Sequence, residues 1–262
     1  MASRHLDTAP YWQAGGKTMN ILIQGGGRGI GLALARRALA AGAERLVVTA
    51  RDPGNSAAHA ELGGDARVTF LPLDITDDAG IRNTAGEIKA LVPRLDRVIC
   101  TSGILREGDI SPEKRIADID AKALVTLYRV NALGPVLLAR ELWPLLKGDH
   151  ALQFSAISAR VGSVSDNRLG GWYGYRASKA ALNQLMRTLS IELARANPNA
   201  CVATLHPGTV DTDLSKPFQG NVPADKLFTA DDAAARLWRV LDGLTPADTG
   251  TLFAYDGSVI PY

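Results

Sequence analysis

Residues 172–182 read WYGYRASKAAL, a run that opens an apolar helical pattern with Tyr175 and Lys179 four places apart. On a helix that spacing puts both side chains on one face, roughly 6 Å apart at Cβ. An ammonium so close to a phenol favours the phenolate, which makes the pair a candidate general acid/base. Tyr173, six places from Lys179, falls on another face and receives no such help. Free tyrosine titrates near 10, so use at neutrality asks for about 4 kcal/mol of differential stabilisation.

A second constellation lies near the start of the chain. The apolar MNILIQ (19–24) runs into QGGGRGIG (24–31), which opens a helical pattern. Gly25, Gly27, Gly29 and Gly31, with Arg28 and Ile30 among them, allow a tight turn, close backbone approach and a helix N-terminus aimed at a phosphate. The spacing Gly25-x3-Gly29-x-Gly31 differs from G-x-G-x-x-G, but the physics is shared. A site for NAD usually has an acid at the end of the second strand, on the ribose 2′-OH. Here that stretch is VVTARD, with Ala50 in the acid's place, Arg51 next and Asp52 two positions late. Arg28 and Arg51 suit a 2′-phosphate, so NADP(H) is expected in preference to NAD(H). GGKT (15–18) is not a P-loop: Tyr11 stands where the first glycine belongs, and no strand precedes it.

Positioning these groups requires an alternation of strands and helices, and the chain supplies one. MNILIQ (19–24), RLVVTA (45–50), ARVTFLPL (66–73), DRVICT (96–101), HALQFSAI (150–157), ACVATLH (200–206) and TLFAYDG (251–257) read as strands, most of them apolar on both faces. Helical patterns lie between them, the longest over 115–146 and 173–197. This β-α-β order predicts one α/β doubly wound, Rossmann-type domain over 19–262, a seven-stranded parallel sheet with helices on both faces. Ligands in such sheets sit at the carboxyl ends of the strands, where the strand order reverses.

Composition is consistent with this. The chain has 262 residues, 46% of them hydrophobic and 21% charged, with net charge +2 and no dense Lys/Arg run, which gives no support to nucleic-acid binding. No apolar run approaches the ~18 residues that span a bilayer. Cys100 and Cys201 lie in apolar strand contexts and read as buried thiols, which fits a cytoplasmic location. Residues 1–18 lack the apolar core of a secretory signal and read as a flexible extension. No His/Cys/acid spacing suggests a metal, and His206, before Pro207 at a strand end, reads as structural.

With these motifs in register, the chain resembles the short-chain dehydrogenase/reductase family. The glycine turn, Asn131 in RVNALGP, Tyr175-x-x-x-Lys179 and HPGTVDT (206–212) fall in that family's order, and VGSVSDNRLGGWYGYRASKAALN, HPGTVDTDLSKPF and AYDGSVIPY resemble its C-factor-like branch of small carbonyl reductases. The resemblance implies an NADP(H)-dependent oxidoreductase acting on a small carbonyl or alcohol. It implies Tyr175 as acid/base, Lys179 as its tuner and the clamp on the nicotinamide ribose, and Asn131 as holder of a relay water. Asp74 and Ile75 would flank the adenine. Pro207, Gly208, Val210 and Thr212 would hold the nicotinamide, and the family shares a homodimeric or homotetrameric assembly. Leu124, Leu127, Leu185 and Leu189 are the apolar residues expected on that surface.

Two stretches depart from the family. Its Asn-Ala-Gly after the fourth strand is Thr101-Ser102-Gly103 here; Gly103 still admits the cofactor, and the Thr101 hydroxyl is the candidate substitute brace. The family's catalytic serine aligns with Ala159. Ser158 is the first candidate to replace it and Ser163 the second, with no serine donor as the third possibility. Trp172 and Tyr173 are expected on a substrate rim, and residues 213–228 form a candidate lid. The second functional reading is a non-catalytic dinucleotide-binding sensor or signalling protein; a weaker third is a dehydratase or epimerase on the same scaffold.

Overall fold

Apolar β-branched runs become strands where both faces can be covered, and the structure, a computed structural model describing residues 19–262, places them so. The expected extension, residues 1–18 with GGKT, lies outside the described residues. In chain order the strands are β1 (Met19–Gln24), β2 (Ala43–Ala50), β3 (Val68–Pro72), β4 (Arg97–Cys100), β5 (Leu152–Ile157), β6 (Ala200–His206), β7 (Thr209–Val210), β8 (Leu227–Phe228) and β9 (Thr251–Ala254). Seven of them form one parallel sheet in the order β3-β2-β1-β4-β5-β6-β9. The short β7 and β8 pair separately and tie the ends of the candidate lid together.

The helices are α1 (Gly29–Ala40), α2 (Ala57–Leu62), α3 (Asp78–Leu91), α4 (Ala121–Tyr128), α5 (Gly134–Leu146), α6 (Tyr173–Ala196) and α7 (Ala230–Gly243). Alternate strand residues point to opposite faces. Leu22, Val98, Phe154 and Val202 meet Ile81, Leu138, Leu142 and Met186 on one side of the sheet. Ile21, Ile23, Ile99 and Leu205 meet Leu34, Leu237 and Trp238 on the other. Two helices, α2 and α7, fall outside the expected segments; α7 earns its place through the stripe Ala233, Ala234, Leu237, Trp238 and Leu241.

The helix expected to run unbroken through 115–146 is interrupted. α4 stops at Tyr128, Arg129–Leu133 forms a π turn, and α5 follows with Pro135 in its first turn. Pro135 has no N–H for the carbonyl of Asn131, and the Gly134 N–H reaches back five residues to Arg129 O. The turn puts Asn131 on the inside of the fold with no exposed surface.

The apolar surface expected for self-association also needs correction. Leu127 is buried beside Leu105 and Tyr175, whereas Leu124, Leu185 and Leu189 are half-buried, the last two packed against the core. Val125, Tyr128 and Ile191 are the large apolar residues of α4 and α6 that face solvent alongside Tyr173. No helix among the described residues is long and apolar enough to cross a membrane.

Candidate active site

Strand order reverses between β1 and β4, and the register Gln24↔Cys100 sets the glycine turn beside Thr101–Gly103. Gly25 and Gly29 have φ of 79° and 54°, in the region that favours glycine. A Cβ on Gly31 would stand 2.5 Å from Gly25 O and 2.8 Å from Gly26 Cα, so α1 packs on the turn without room for a side chain. Gly27 is as close to Ala50, and its carbonyl accepts from the Ala58 N–H. No side chain caps α1 and no acid occupies its first turn. Its leading N–H groups therefore remain available to an anion.

The Thr101 hydroxyl donates to both Gln24 O (2.8 Å) and Gly25 O (2.9 Å), and Ser102 Oγ accepts from Gln24 Nε2 at 2.6 Å. Thr101 thus braces β1 against β4. A Cβ on Gly103 would sit 3.3 Å from both Lys179 Nζ and Asn131 Oδ1, which puts the bare backbone of Gly103 beside those two groups. Val210 is buried, packed with Ile30 and Phe228; Gly208 has φ 82°, and Thr212 Cγ2 lies beside Gly29. Asp74 ends the β3 side, its carboxylate accepting from Thr76 N–H and Oγ1; those bonds and the nearby Arg51 hold its pKa below the usual range. Ile75 turns into the core. A cradle of bare backbone at a helix N-terminus suits a dinucleotide, and these residues fit one.

Each of the two arginines has an acidic partner of its own. Arg28 forms an ion pair with Asp213 at the start of the candidate lid, and Arg51 pairs with Glu107 at 3.1 Å. Both pairs are exposed and so worth at most about 1 kcal/mol each. A phosphate dianion can displace such partners at little cost.

Tyr175 and Lys179 do share a face of α6, with Lys179 Nζ 5.8 Å from the Tyr175 ring centre. Both are buried. Burial disfavours each charged form, so it raises the Tyr175 pKa above its ordinary value and pulls Lys179 down to about 8. Lys179 donates to Ile157 O at 2.9 Å. The expected acidification of Tyr175 by Lys179 is therefore not a property of the chain alone, because desolvation outweighs attraction.

Asn131 braces the pair. Its Nδ2 donates to Ile104 O (2.8 Å) and Ser178 Oγ (3.0 Å), and its Oδ1 accepts from the Ile104 N–H. Ser178 in turn donates to Tyr175 O. Neither serine candidate joins this cluster. Ser158 Oγ donates to Asn183 Oδ1 at 2.7 Å, and the Asn183 amide binds Gly162 O. Just past β5, Ser158 points to Asn183 in the middle of α6, and the next residue, Ala159, joins the apolar group around Tyr175. Ser163 donates to Pro261 O in the closing tail.

Ala159 sits in a half-buried apolar group with Tyr175, Leu105, Val161, Trp172, Leu214 and Phe218. Trp172 meets Phe218 edge-on at 5.1 Å and Tyr175 at 6.2 Å. Of the two residues expected on a substrate rim, Trp172 joins this apolar group, while Tyr173 turns to solvent. Leu214 and Phe218 carry the 213–228 segment onto this rim. Trp172 has φ 52°, the one positive value at a non-glycine among the described residues. It is held there by its N–H on Glu113 O at 2.6 Å, while the buried Glu113 carboxylate accepts from Gly174 N at the start of α6. Nothing in the sequence singled out Glu113 or Phe218. Ser178 was visible only as a serine one turn after Tyr175.

His206 is half-buried at the end of β6, its pKa pushed down to about 4 by burial and then by Arg160, against the opposing pull of Asp256. Among the described residues no group of His, Cys, Asp and Glu is arranged to hold a metal, and both cysteines are buried free thiols.

Comparison with known proteins bears on this geometry. The family model for short chain dehydrogenases matches residues 19–222. An uncharacterized oxidoreductase of Schizosaccharomyces pombe is 28% identical over 92% of this chain and 96% of its own length. The C-signal protein of Myxococcus xanthus is 34% identical over 56% of this chain and 83% of its own. A crystal structure of NADPH-bound carbonyl reductase from chicken fatty liver superposes with a TM-score of 0.81 at 28% identity, covering 94% of this chain and all of that one.

Proposed function

The chain belongs to the short-chain dehydrogenase family, and from that premise we propose that it is an NADPH-dependent reductase of small carbonyl compounds, with Tyr175 as proton donor. The observation that carries the reading is the placement of Tyr175: a buried phenol in an apolar group, one turn from Lys179, whose Nζ lies beside the bare backbone of Gly103. Arg28 and Arg51 support the phosphorylated cofactor, as does the NADPH named for the chicken structure. The bound dinucleotide would supply hydride and, once oxidised, a positive ring.

The residues of the chain do the rest. The N-terminus of α1 would hold the pyrophosphate, Lys179 the nicotinamide ribose, and Val210 with Thr212 the nicotinamide. Asn131 and Ser178 fix the turn of α6 that carries Tyr175. The carbonyl carbon accepts hydride, and its oxygen becomes an alkoxide that takes the Tyr175 proton. An alkoxide is a much stronger base than a phenolate, so the transfer runs downhill even from a phenol whose pKa burial has raised. A protonated phenol suits reduction better than the reverse reaction. Trp172, Leu214 and Phe218 exclude water from the reacting carbon.

The test is NADPH oxidation, followed by nicotinamide fluorescence, with a panel of aldehydes, ketones, diketones and quinones. Tyr175→Phe is expected to lose about 10³-fold in kcat while binding NADPH as wild type does. A second reading, a non-catalytic nucleotide-binding signalling protein, is favoured by the likeness to C-signal and by Ala159 in place of a serine. Cofactor binding with no oxidation by any compound supports that reading and overturns the first.

A further inference from the structure

We infer that the substrates this site turns over well are apolar carbonyl compounds made electron-poor by their own substituents, with Ala159 as the residue that sets this preference. The inference rests on the hydride-transfer reading above and narrows its substrate class.

The wall facing Tyr175 is apolar: Ala159, Leu105, Val161, Trp172, Leu214 and Phe218. The hydroxyls and the amide around it are occupied inside the protein, and Lys179 spends one of its three N–H groups there. Ser158 donates to Asn183, Ser163 to Pro261 O, Ser178 to Tyr175 O and Lys179 to Ile157 O. Both Asn131 N–H groups go to Ile104 O and Ser178 Oγ. Among the described residues the Tyr175 hydroxyl is thus the hydroxyl left to face the carbonyl oxygen, while Lys179 Nζ lies beside Gly103. In the reaction the carbonyl carbon gains a C–H bond from the hydride of reduced nicotinamide, and the C=O π pair moves to oxygen. That oxygen takes the Tyr175 proton; the carbonyl is reduced by two electrons, the nicotinamide is oxidised, and the tyrosinate regains a proton from solvent.

Negative charge on the oxygen peaks in the transition state, and losing one preorganised donor there costs roughly 10²–10³-fold in kcat. A substrate whose nitroaryl group or second carbonyl withdraws electrons from the reacting carbon, and so stabilises this charge by induction, has less need of a second donor. The rate should therefore depend steeply on electron withdrawal, and a donor restored at 159 should flatten that dependence. The Ala159 backbone is extended (φ −150°, ψ 150°), so a serine introduces no backbone strain.

The experiment compares para-methoxy-, unsubstituted and para-nitroacetophenone with saturating NADPH for wild type, Ala159→Ser and Ala159→Cys. Wild type is expected to show kcat about 100-fold higher on the nitro than on the methoxy compound, with similar KM. Ala159→Ser should raise kcat on the methoxy compound about tenfold and on the nitro compound less than threefold. Ala159→Cys, close to serine in volume but a weak donor, should behave as wild type. A flat wild-type series overturns the inference. So does a serine variant that accelerates all three ketones equally or none, or a cysteine variant that matches serine. Should Ala159→Ser not fold, judged by circular dichroism, the wild-type slope still decides. An active wild type with a flat series sinks only this inference, whereas no NADPH oxidation with any carbonyl compound sinks the hydride-transfer reading as well.

Discussion

The wall proposed to hold the nucleotide and the wall proposed to face the substrate are built on opposite principles. On the nucleotide wall, backbone meets backbone: a Cβ on Gly31 would strike Gly25 O and Gly26 Cα, and Thr101 pins β1 to β4 through two carbonyls. On the substrate wall, side chains meet side chains across loops, as Trp172 meets Phe218, and a Cβ on Gly220 in the lid would touch nothing within 4 Å. The first wall tolerates no added atom because its neighbours cannot move. The second is held by apolar contacts that can rearrange, which is what a lid over a replaceable substrate requires.

Four experiments would break or sharpen that contrast. The largest effect is expected at Gly31→Ala. Its Cβ must displace backbone, so stability should fall by about 2–3 kcal/mol in urea unfolding and NADPH affinity by about 100-fold or more. Gly220→Ala should stay within about 0.5 kcal/mol. Equal losses at both positions would erase the distinction.

Next is Lys179, where the walls meet. Its folded pKa of about 8 lies below its ordinary 10.5, so the protonated form is a cost to folding. That cost is fully present below pH 8, shrinks between pH 8 and 10.5 and vanishes above. Lys179→Met should therefore be more stable than wild type at pH 7, by on the order of 1–3 kcal/mol. The gap should close as pH rises through that window. A gap independent of pH would mean the lysine is not desolvated.

A smaller effect concerns the nucleotide wall's charged edge. Arg28→Ala with Arg51→Ala should weaken NADPH about 30-fold by fluorescence titration and leave NADH nearly unchanged, as expected for lost charge-assisted bonds to one phosphate. Stability should not change, because the pairs they now make with Asp213 and Glu107 are exposed. The smallest effect is on the substrate wall. Phe218→Ala should raise KM for an apolar ketone about tenfold and alter the NADPH dissociation constant less than twofold.

Much of the nucleotide wall was legible beforehand because its constraints are local. A glycine demanded by a turn, or a lysine one helical turn from a tyrosine, leaves a mark at fixed spacing. The substrate wall left weaker marks. Phe218 lies 46 residues from the Trp172 it packs against, and Glu113 reaches its helix from a loop 61 residues away in sequence. The expected helix over 115–146 failed at Pro135, where a missing N–H and a π turn outweighed an otherwise apolar helical pattern. Ser158 failed for a related reason: a one-residue step along a strand changes the face.

By itself, the sequence determined the strand-helix alternation, the glycine turn between β1 and α1 and the pairing of Tyr175 with Lys179, since each follows from periodicity or from the conformations a residue type allows. Tertiary structure alone decided which hydroxyls face the reacting carbon and what burial does to two neighbouring charges. Those depend on neighbours brought from distant parts of the chain, and on how much water they leave behind.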